Sequence, residues 1–321
     1  MTPPRIIHEE QTAFITCRAV NRSFRFVPNE QVTQTIRFVF AYTCSKFNVS
    51  LHEVLYMSDH FHLLLTAHTK CIPDFMEELN SLMARALNAL RGISGTNFEK
   101  GYNLVEPQDA EKTLEHAIYT LVNPCASDLV TKARHWKGFT TIGMEYGQEI
   151  LVPKPRFGMW EPKPAKKPKK KPRKRRDART PSKCGRSTIP DVVALRLVRP
   201  PVRGELSDGE LREFVLKRVE EEENECEAVR AAKRKKVFGM RNVMRQHWAS
   251  MPGTEDLFGV RPTVSAKHKT KRVEALRNKG VFEEAYAIAR ARWLAGETDV
   301  EFPAGTWLMW RRYAANCADS S

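Results

Sequence analysis

The chain of 321 residues carries 53 Lys and Arg against 38 Asp and Glu, and its formal net charge of +15 predicts a polyanionic partner, with nucleic acid as the leading candidate. No stretch approaches the roughly 18 consecutive apolar residues of a membrane span, and the first residues lack the apolar core of a secretory signal, so we expect no membrane partner. The seven cysteines never form a C-x-x-C pair, which disfavours a disulfide framework or a cysteine zinc site and favours a reducing, cytoplasmic location.

Strand and helix patterns are mixed in the first 150 residues. Residues 12–20 are predicted as a strand and residues 29–47 as a helix that Asn29 caps. Residues 49–57 predict another strand, and residues 59–68 either continue it past a tight turn or pair back on it. Two further helices are predicted at 73–92, which Gly92 ends, and at 109–122, which Asp109 caps. The pattern predicts an α+β N-terminal domain at 1–150.

The composition changes after residue 150. Ten of the fourteen residues from 163 to 176 are basic, and this block cannot bury a core. We therefore predict a disordered or extended Pro/Lys-rich linker at 151–188 and a mostly helical C-terminal extension at 189–321. Within the extension we expect one helix at 207–236 and two more in 265–296 that meet near 278–280. Trp307, Trp310 and Tyr313 have helical spacing beside two arginines, and core packing of the tryptophans is the preferred interpretation.

His60 and His62 begin the apolar run HFHLLL. Residues i and i+2 of a strand point to the same face, so the two imidazoles would stand side by side with Phe61 in the core behind them. Such a pair can share one metal ion. It can also be an ordinary pair of polar residues on a solvated sheet face, and the motif alone favours that alternative.

Tyr119 and Asn123 lie four residues apart in the stretch EHAIYTLVNP, and so project from one face of a helix. Pro124 disfavours helical geometry at the residue before it, which predicts that Asn123 lies at or near the helix end. A phenol and a carboxamide would then be neighbours. Taken alone, the pattern is more typical of a core tyrosine beside an ordinary Asn-Pro helix stop.

Together the two motifs are specific. An HFH strand followed by a helix that ends in YTLVNP resembles the single-tyrosine HUH transposases and, more narrowly, the branch of the IS200-like transposases associated with repeated extragenic palindromes (REP). The stretches FITCRAVNRSFRF and ARHWKGFT match this branch too, so the resemblance covers about residues 10–145, although Ser58 stands where the family usually has Pro. It implies a ferredoxin-like antiparallel sheet with helices on one side, the histidines on a central strand, and the Tyr119 helix across their face.

The resemblance also implies the chemistry of the site. In this family the two histidines and a polar residue four positions after the tyrosine hold one divalent metal, here His60, His62 and Asn123, with Mg²⁺ or Mn²⁺ as the expected ion. Tyr119 would be the nucleophile that forms a 5′-phosphotyrosine, which makes the chain an enzyme for DNA strand cleavage and rejoining. His116, one turn before Tyr119, is a rival third ligand that ranks below Asn123.

Single-stranded or hairpin DNA is the implied partner, in the bacterial cytoplasm at the nucleoid. Candidate DNA contacts near the first strand, on the 73–92 helix and in the basic linker are Arg18, Asn21, Arg22, Arg25, Arg85, Lys169, Lys170, Lys171, Arg173, Lys174, Arg175 and Arg176. A solvated surface charge is the alternative for each of the single arginines. The linker could equally be a nonspecific anchor.

Two other functions remain open on the sequence. A replication-initiator or relaxase-type nickase would use the same metal and tyrosine, and a domesticated DNA-hairpin-binding regulator would keep the site without the reaction. The long C-terminal extension favours a monomer, and a dimer stays possible because some relatives exchange the tyrosine helix between subunits.

Overall fold

A computed structural model describes residues 4–161, 189–202, 204–253 and 262–318. The first elements are β1 (Gln11–Arg18), α1 (Glu30–Cys44), β2 (Val49–Tyr56), β3 (His60–Ala67), α2 (Ile72–Arg91), β4 (Asn103–Pro107) and α3 (Ala110–Ala126). The later elements are β5 (Glu149–Pro153), β6 (Val192–Arg196), α4 (Asp208–Ala232), α5 (Met240–Arg245), β7 (Val264–Ser265), α6 (Lys269–Leu294) and α7 (Trp307–Tyr313). Within these ranges no helix is both long enough and apolar enough to cross a membrane.

Local sequence signals set the helix ends. The Asn29 side chain accepts a hydrogen bond from the Val32 amide at 2.9 Å, and the Asp109 carboxylate accepts one from the Lys112 amide at 2.7 Å. Each satisfies a backbone donor that the first helical turn would leave unpaired, which stabilises a helix by about 1 kcal/mol. Gly92 ends α2 in the left-handed region at φ 65°, where glycine carries no side-chain penalty.

The main sheet has the strand order β2-β3-β1-β4-β7. Its first four strands are antiparallel and follow the βαββαβ order of a ferredoxin-like fold, and β7 joins the β4 edge in parallel. The predicted α+β class is therefore confirmed. β3 lies between β1 and β2, so the strand that carries the histidines is an inner strand, as expected from the resemblance.

The two faces of the sheet pack against different helices. Phe61, Leu63 and Leu65 of β3 point into the main core, which α1 and α2 close from one side. Leu64 points the other way, where it packs with Phe14, Val105 and Ala117 of α3. The alternation of strand side chains thus turns His60 and His62 towards α3. The tyrosine helix consequently lies across the histidine face.

The C-terminal part packs onto this domain. Apolar side chains of α4, Val215 and Val219, lie against Ile118 and Leu121 of α3. β5 and β6 form a separate two-stranded antiparallel sheet, so the predicted linker begins within a strand. Its residues 162–188 lie outside the described residues, and the proposed domain boundaries stay a prediction.

One expected feature of the extension is wrong. α6 is a single helix from Lys269 to Leu294, where the sequence predicted two helices meeting near residues 278–280. A β-carbon at Gly280 would have no neighbouring atom within 4 Å, so the glycine lies in open space within the helix. A glycine inside a helix costs about 1 kcal/mol relative to alanine, which weakens a helix of this length without ending it.

Candidate active site

The two histidines of β3 stand side by side on the face that α3 covers. Their ring centroids are 4.8 Å apart, and the rings are nearly perpendicular. On the neighbouring strand β1, Thr16 is directly opposite His62 and Arg18 is directly opposite His60. The strand periodicity of two therefore gives the arrangement that the sequence predicts.

His62 is almost fully buried, with 4% of its surface exposed. Its Nδ1 atom lies 3.0 Å from the Thr16 hydroxyl, which orients the ring, and its Nε2 atom faces the Asn123 amide at 3.4 Å. Burial holds the pKa of His62 well below its ordinary value, and the nearby His60 and Arg18 lower it further. His62 is therefore neutral at physiological pH, which is the state in which an imidazole can bind a metal.

His60 is oriented by a carboxylate that the sequence analysis missed. Its Nδ1 atom lies 2.8 Å from Asp59, and Asp59 also binds Arg22 at 3.3 Å. Burial alone would raise the pKa of Asp59, but the hydrogen bond with His60 and the charge of Arg22 outweigh it and keep the pKa low. A carboxylate that fixes one ring nitrogen leaves the other, Nε2, free for a ligand. The sequence signal that could have revealed this role of Asp59 is an acidic residue directly before the H-x-H motif.

Tyr119 projects from α3 towards the same place. Its ring centroid is 5.3 Å from that of His62, and 46% of the residue is exposed. Asn123, one helical turn later, is buried at 5% exposure. Burial raises the pKa of Tyr119, and a hydrogen bond from Asn123 and the charge of Arg18 offset part of that rise. The phenol is thus protonated at neutral pH, and it is open to solvent on one side.

The helix does not stop at Asn123. α3 continues through Pro124 to Ala126, so Asn123 lies inside the last turn. Pro124 lacks the amide that would bond the Thr120 carbonyl, and the helix ends two residues later at Ala126. This continuation keeps Asn123 in register with Tyr119 on one helix face.

The donor set of two imidazole nitrogens and one amide oxygen fits a loosely held divalent cation. The Nε2 atoms of His60 and His62 and the carbonyl oxygen of Asn123 would be the three protein ligands. Asn123 directs its nitrogen at His62 and accepts from the Ser127 hydroxyl at 3.3 Å, so binding requires the amide to turn by half a rotation. Across the described ranges, no three His, Cys, Asp or Glu side chains form a metal-binding group.

His116 is engaged elsewhere. Its ring stacks on Phe14 at 4.3 Å, and its Nε2 atom lies 2.8 Å from the Ser265 hydroxyl of β7. Burial lowers the pKa of His116 to about 4. Phe14 also contacts His62 and Tyr119, with ring centroids 5.4 and 5.9 Å away. This phenylalanine, which sequence reasoning did not single out, is a common neighbour of the site residues.

The predicted DNA contacts fall in several places. Arg18 ends β1 beside His60, and Asn21 and Arg22 follow in a short turn where both adopt positive φ, at 53° and 52°. Arg25 lies farther along this loop, against Trp248. Arg85 is exposed on α2, the helix that covers the opposite face of the sheet. The seven basic residues predicted between 169 and 176 lie outside the described residues.

The family model described as "Transposase IS200 like" matches residues 14–115, which include both histidines and end before Tyr119. The structure of a REP-associated tyrosine transposase bound to a REP hairpin is similar over 45% of this chain and 84% of that chain, with a TM-score of 0.40 and 14% identity. A protein from Deinococcus radiodurans R1 assigned as a transposase is similar over 33% of this chain and 85% of that chain, with a TM-score of 0.26 and 20% identity. No curated protein matches this chain. The family match agrees with the resemblance that the motifs predict: residues 14–115 are similar to the IS200-like transposases.

Proposed function

We propose that this chain cleaves and rejoins single-stranded DNA through a covalent bond between Tyr119 and a 5′ phosphate. The observation that carries the proposal is the position of Tyr119, whose ring lies 5.3 Å from that of His62 while Asn123 follows one turn later on the same helix. A half-exposed phenol beside one buried and one partly exposed imidazole and a buried amide supports a nucleophile next to a cation site.

In the cleavage step the Tyr119 oxygen bonds to the scissile phosphorus, and the bond between phosphorus and the 3′ oxygen breaks. The phenol proton leaves to solvent, and the departing 3′ oxygen takes up a proton to become a hydroxyl. One phosphate ester replaces another, so a second 3′-OH can later attack the phosphotyrosine and restore a phosphodiester. Strand transfer therefore needs no ATP.

The residues around Tyr119 prepare the reaction. Asp59 and Thr16 orient the two histidines, and burial keeps His62 neutral. Arg18 is close enough to lower the pKa of the Tyr119 phenol, in the direction that helps it lose its proton. With Mg²⁺ or Mn²⁺ held by His60, His62 and Asn123, the cation would polarise the phosphate and offset the charge that develops on it.

For the substrate we propose a hairpin with single-stranded flanks, of the palindromic type that the sequence resemblance implies. The net charge of +15 and the arginines at the end of β1 support a DNA partner. The REP-associated transposase that resembles this chain is bound to a REP hairpin. An active monomer is the form that the extension favours.

The deciding experiment is cleavage of end-labelled hairpin DNA, taken from repeats that flank the gene, with Mn²⁺ or Mg²⁺. The wild type should form a covalent protein–DNA adduct. Tyr313→Phe is the matched control, because Tyr313 is an exposed tyrosine of α7, and it should form the adduct as well. Tyr119→Phe should bind the hairpin equally well and form no adduct, and a chelator should abolish the adduct of the wild type.

An adduct in Tyr119→Phe would assign the nucleophile elsewhere. Tight hairpin binding by the wild type without any adduct would overturn the proposed reaction and favour the hairpin-binding regulator.

A further inference from the structure

Trp248, from the C-terminal extension, lies against the loop that follows β1. The amide of Phe24 in that loop donates to the Ser250 carbonyl at 2.9 Å, which joins the two segments. Arg25 of the loop places its guanidinium carbon 4.6 Å from the centre of the Trp248 ring. The guanidinium carbon of Arg91, the last residue of α2, lies 5.3 Å from the same ring. Two cations therefore share one indole.

Among the described residues, no acid neutralises the two guanidiniums that are held in this way. Arg25 donates to the Ser23 hydroxyl at 2.9 Å, and Arg91 donates to the Arg25 carbonyl. In the ranges that the structure describes, neither arginine forms an ion pair with a carboxylate, and the Arg91 Nη1 nitrogen is buried with no hydrogen-bond partner. Two like charges brought together in this way repel each other unless an anion lies between them.

The pKa values of the two arginines agree with a repulsion between their charges. Burial lowers the pKa of Arg91 to about 10, and the charge of Arg25 contributes to the decrease. Burial also lowers the pKa of Arg25. Both groups keep their charge at neutral pH, so the repulsion persists in the folded protein. The three side chains are partly exposed, which leaves them within reach of a ligand.

We propose that Arg25 and Arg91, held by Trp248, bind one phosphodiester group of the DNA backbone. Guanidinium groups match phosphate oxygens with paired hydrogen bonds, and an indole face positions them through cation–π contacts. The site joins the family domain to the extension, because Trp248 lies outside residues 14–115.

The position of the pair favours DNA over a free anion. The amide of Phe26, next to Arg25, donates to the Ser58 carbonyl at 2.8 Å, and Ser58 precedes Asp59, which holds His60. Arg22 of the same loop binds Asp59 directly. A phosphate bound by Arg25 and Arg91 would therefore be held by the loop after β1. That loop contacts Ser58 and Asp59, the two residues directly before His60. This inference rests on the proposed function for the identity of the polyanion.

The test measures hairpin binding as a function of salt, in the Tyr119→Phe background so that no covalent product forms. The double variant Arg25→Gln/Arg91→Gln should lower the slope of log K against log salt by about 0.7 to 0.9, the values for one phosphate of a single strand and of a duplex. Its affinity at moderate salt should fall on the order of tenfold, as expected for lost hydrogen bonds to a charged group.

The matched control removes the same number of charges elsewhere. Arg5 and Arg37 are exposed arginines that also stack on rings, those of Tyr102 and Phe139. Arg5→Gln/Arg37→Gln should keep the slope of the parent. Trp248→Leu, which spares both charges, should weaken binding by loosening the pair, and Trp248→Phe should retain most of the affinity. Thermal melting confirms that each variant is folded.

Unchanged slopes in folded Arg25→Gln/Arg91→Gln would overturn the inference, as would an equal loss in the control pair. Inorganic phosphate tests a free anion as the ligand. If phosphate binding requires both arginines while the double variant keeps the salt slope of its parent for hairpin binding, the site takes a free anion. The DNA assignment then fails. The adduct assay separates the two proposals. If the wild type forms the adduct and the slope of the double variant equals that of its Tyr119→Phe parent, only this phosphate site is refuted.

Discussion

The two long helices of the C-terminal extension have similar lengths but opposite environments. α4 has 25 residues and buries Leu211, Val215 and Val219 against the N-terminal part of the chain. α6 has 26 residues, and Val273, Leu276 and Val281 in its first half are exposed. Charged residues are frequent in both sequences. The difference teaches that a highly charged helix can be an integral part of a core when a few of its side chains meet specific partners.

The specific partner of α4 is a buried carboxylate. Arg212 binds Glu53 of β2 at 2.6 Å and the Thr141 carbonyl at 2.7 Å, with 1% and 0% of the two charged side chains exposed. Tyr146 donates to the same carboxylate at 2.9 Å. Burial raises the pKa of Glu53, and Arg212 offsets part of that rise. The ion pair therefore fixes where α4 can dock.

Removing this cation should have the largest effect on stability. Arg212→Ala leaves Glu53 buried without its partner, and we expect the free energy of unfolding to fall by about 3–5 kcal/mol. Arg277→Ala, at an exposed position of α6, should change it by less than about 0.5 kcal/mol. Urea unfolding measures both. Equal midpoints for the two variants would mean that α4 and α6 are attached alike.

A second buried contact to the later chain should make stability depend on pH. His52 of β2 lies 3.0 Å from the Val198 carbonyl, and burial lowers its pKa to about 4 from an ordinary value of 6.5. The unfolded chain binds a proton below pH 6.5, whereas the folded chain does so only near pH 4. Stability should therefore fall as the pH drops through this window, by on the order of 3 kcal/mol.

The measurement is the free energy of unfolding at several pH values for wild type and His52→Gln. The variant loses hydrogen bonds at every pH, so the comparison uses the slope with pH and not the absolute value. A slope that stays the same in His52→Gln would assign the pH dependence to other groups.

The smallest of the three expected losses of stability comes from shortening one valine on α4, compared with one valine on α6. Val219→Ala removes two buried methyl groups that pack with the tyrosine helix, and should cost about 1–2 kcal/mol. Val273→Ala, where 55% of the residue is exposed, should cost nearly nothing. In the adduct assay Val219→Ala should also react more slowly, since its partners Ile118 and Leu121 flank Tyr119. Identical adduct rates would show that α4 supports α3 without positioning its tyrosine.

Much of the first 130 residues could be predicted because their signals are local. Asn29 and Asp109 cap helices where the sequence places caps, and the alternation around His60 and His62 gives the correct face. The contacts of the extension could not be predicted this way. Glu53 and Arg212 are 159 residues apart, and nothing near either residue indicates the other. The orientation of His60 by Asp59 was missed because a neighbouring acid is common and only the fold turns it inward.

The packing of α4 on α3 limits how this protein can be divided. A fragment that ended at residue 150 would keep both histidines and Tyr119, yet Glu53 would lose its cation and the outer face of the tyrosine helix would lie open to water. Arg230 of α4 also donates to the Cys125 carbonyl in the last turn of that helix, a contact that the fragment would lack. The minimal unit for biochemical work therefore extends at least through α4, well beyond the residues by which the family is recognised.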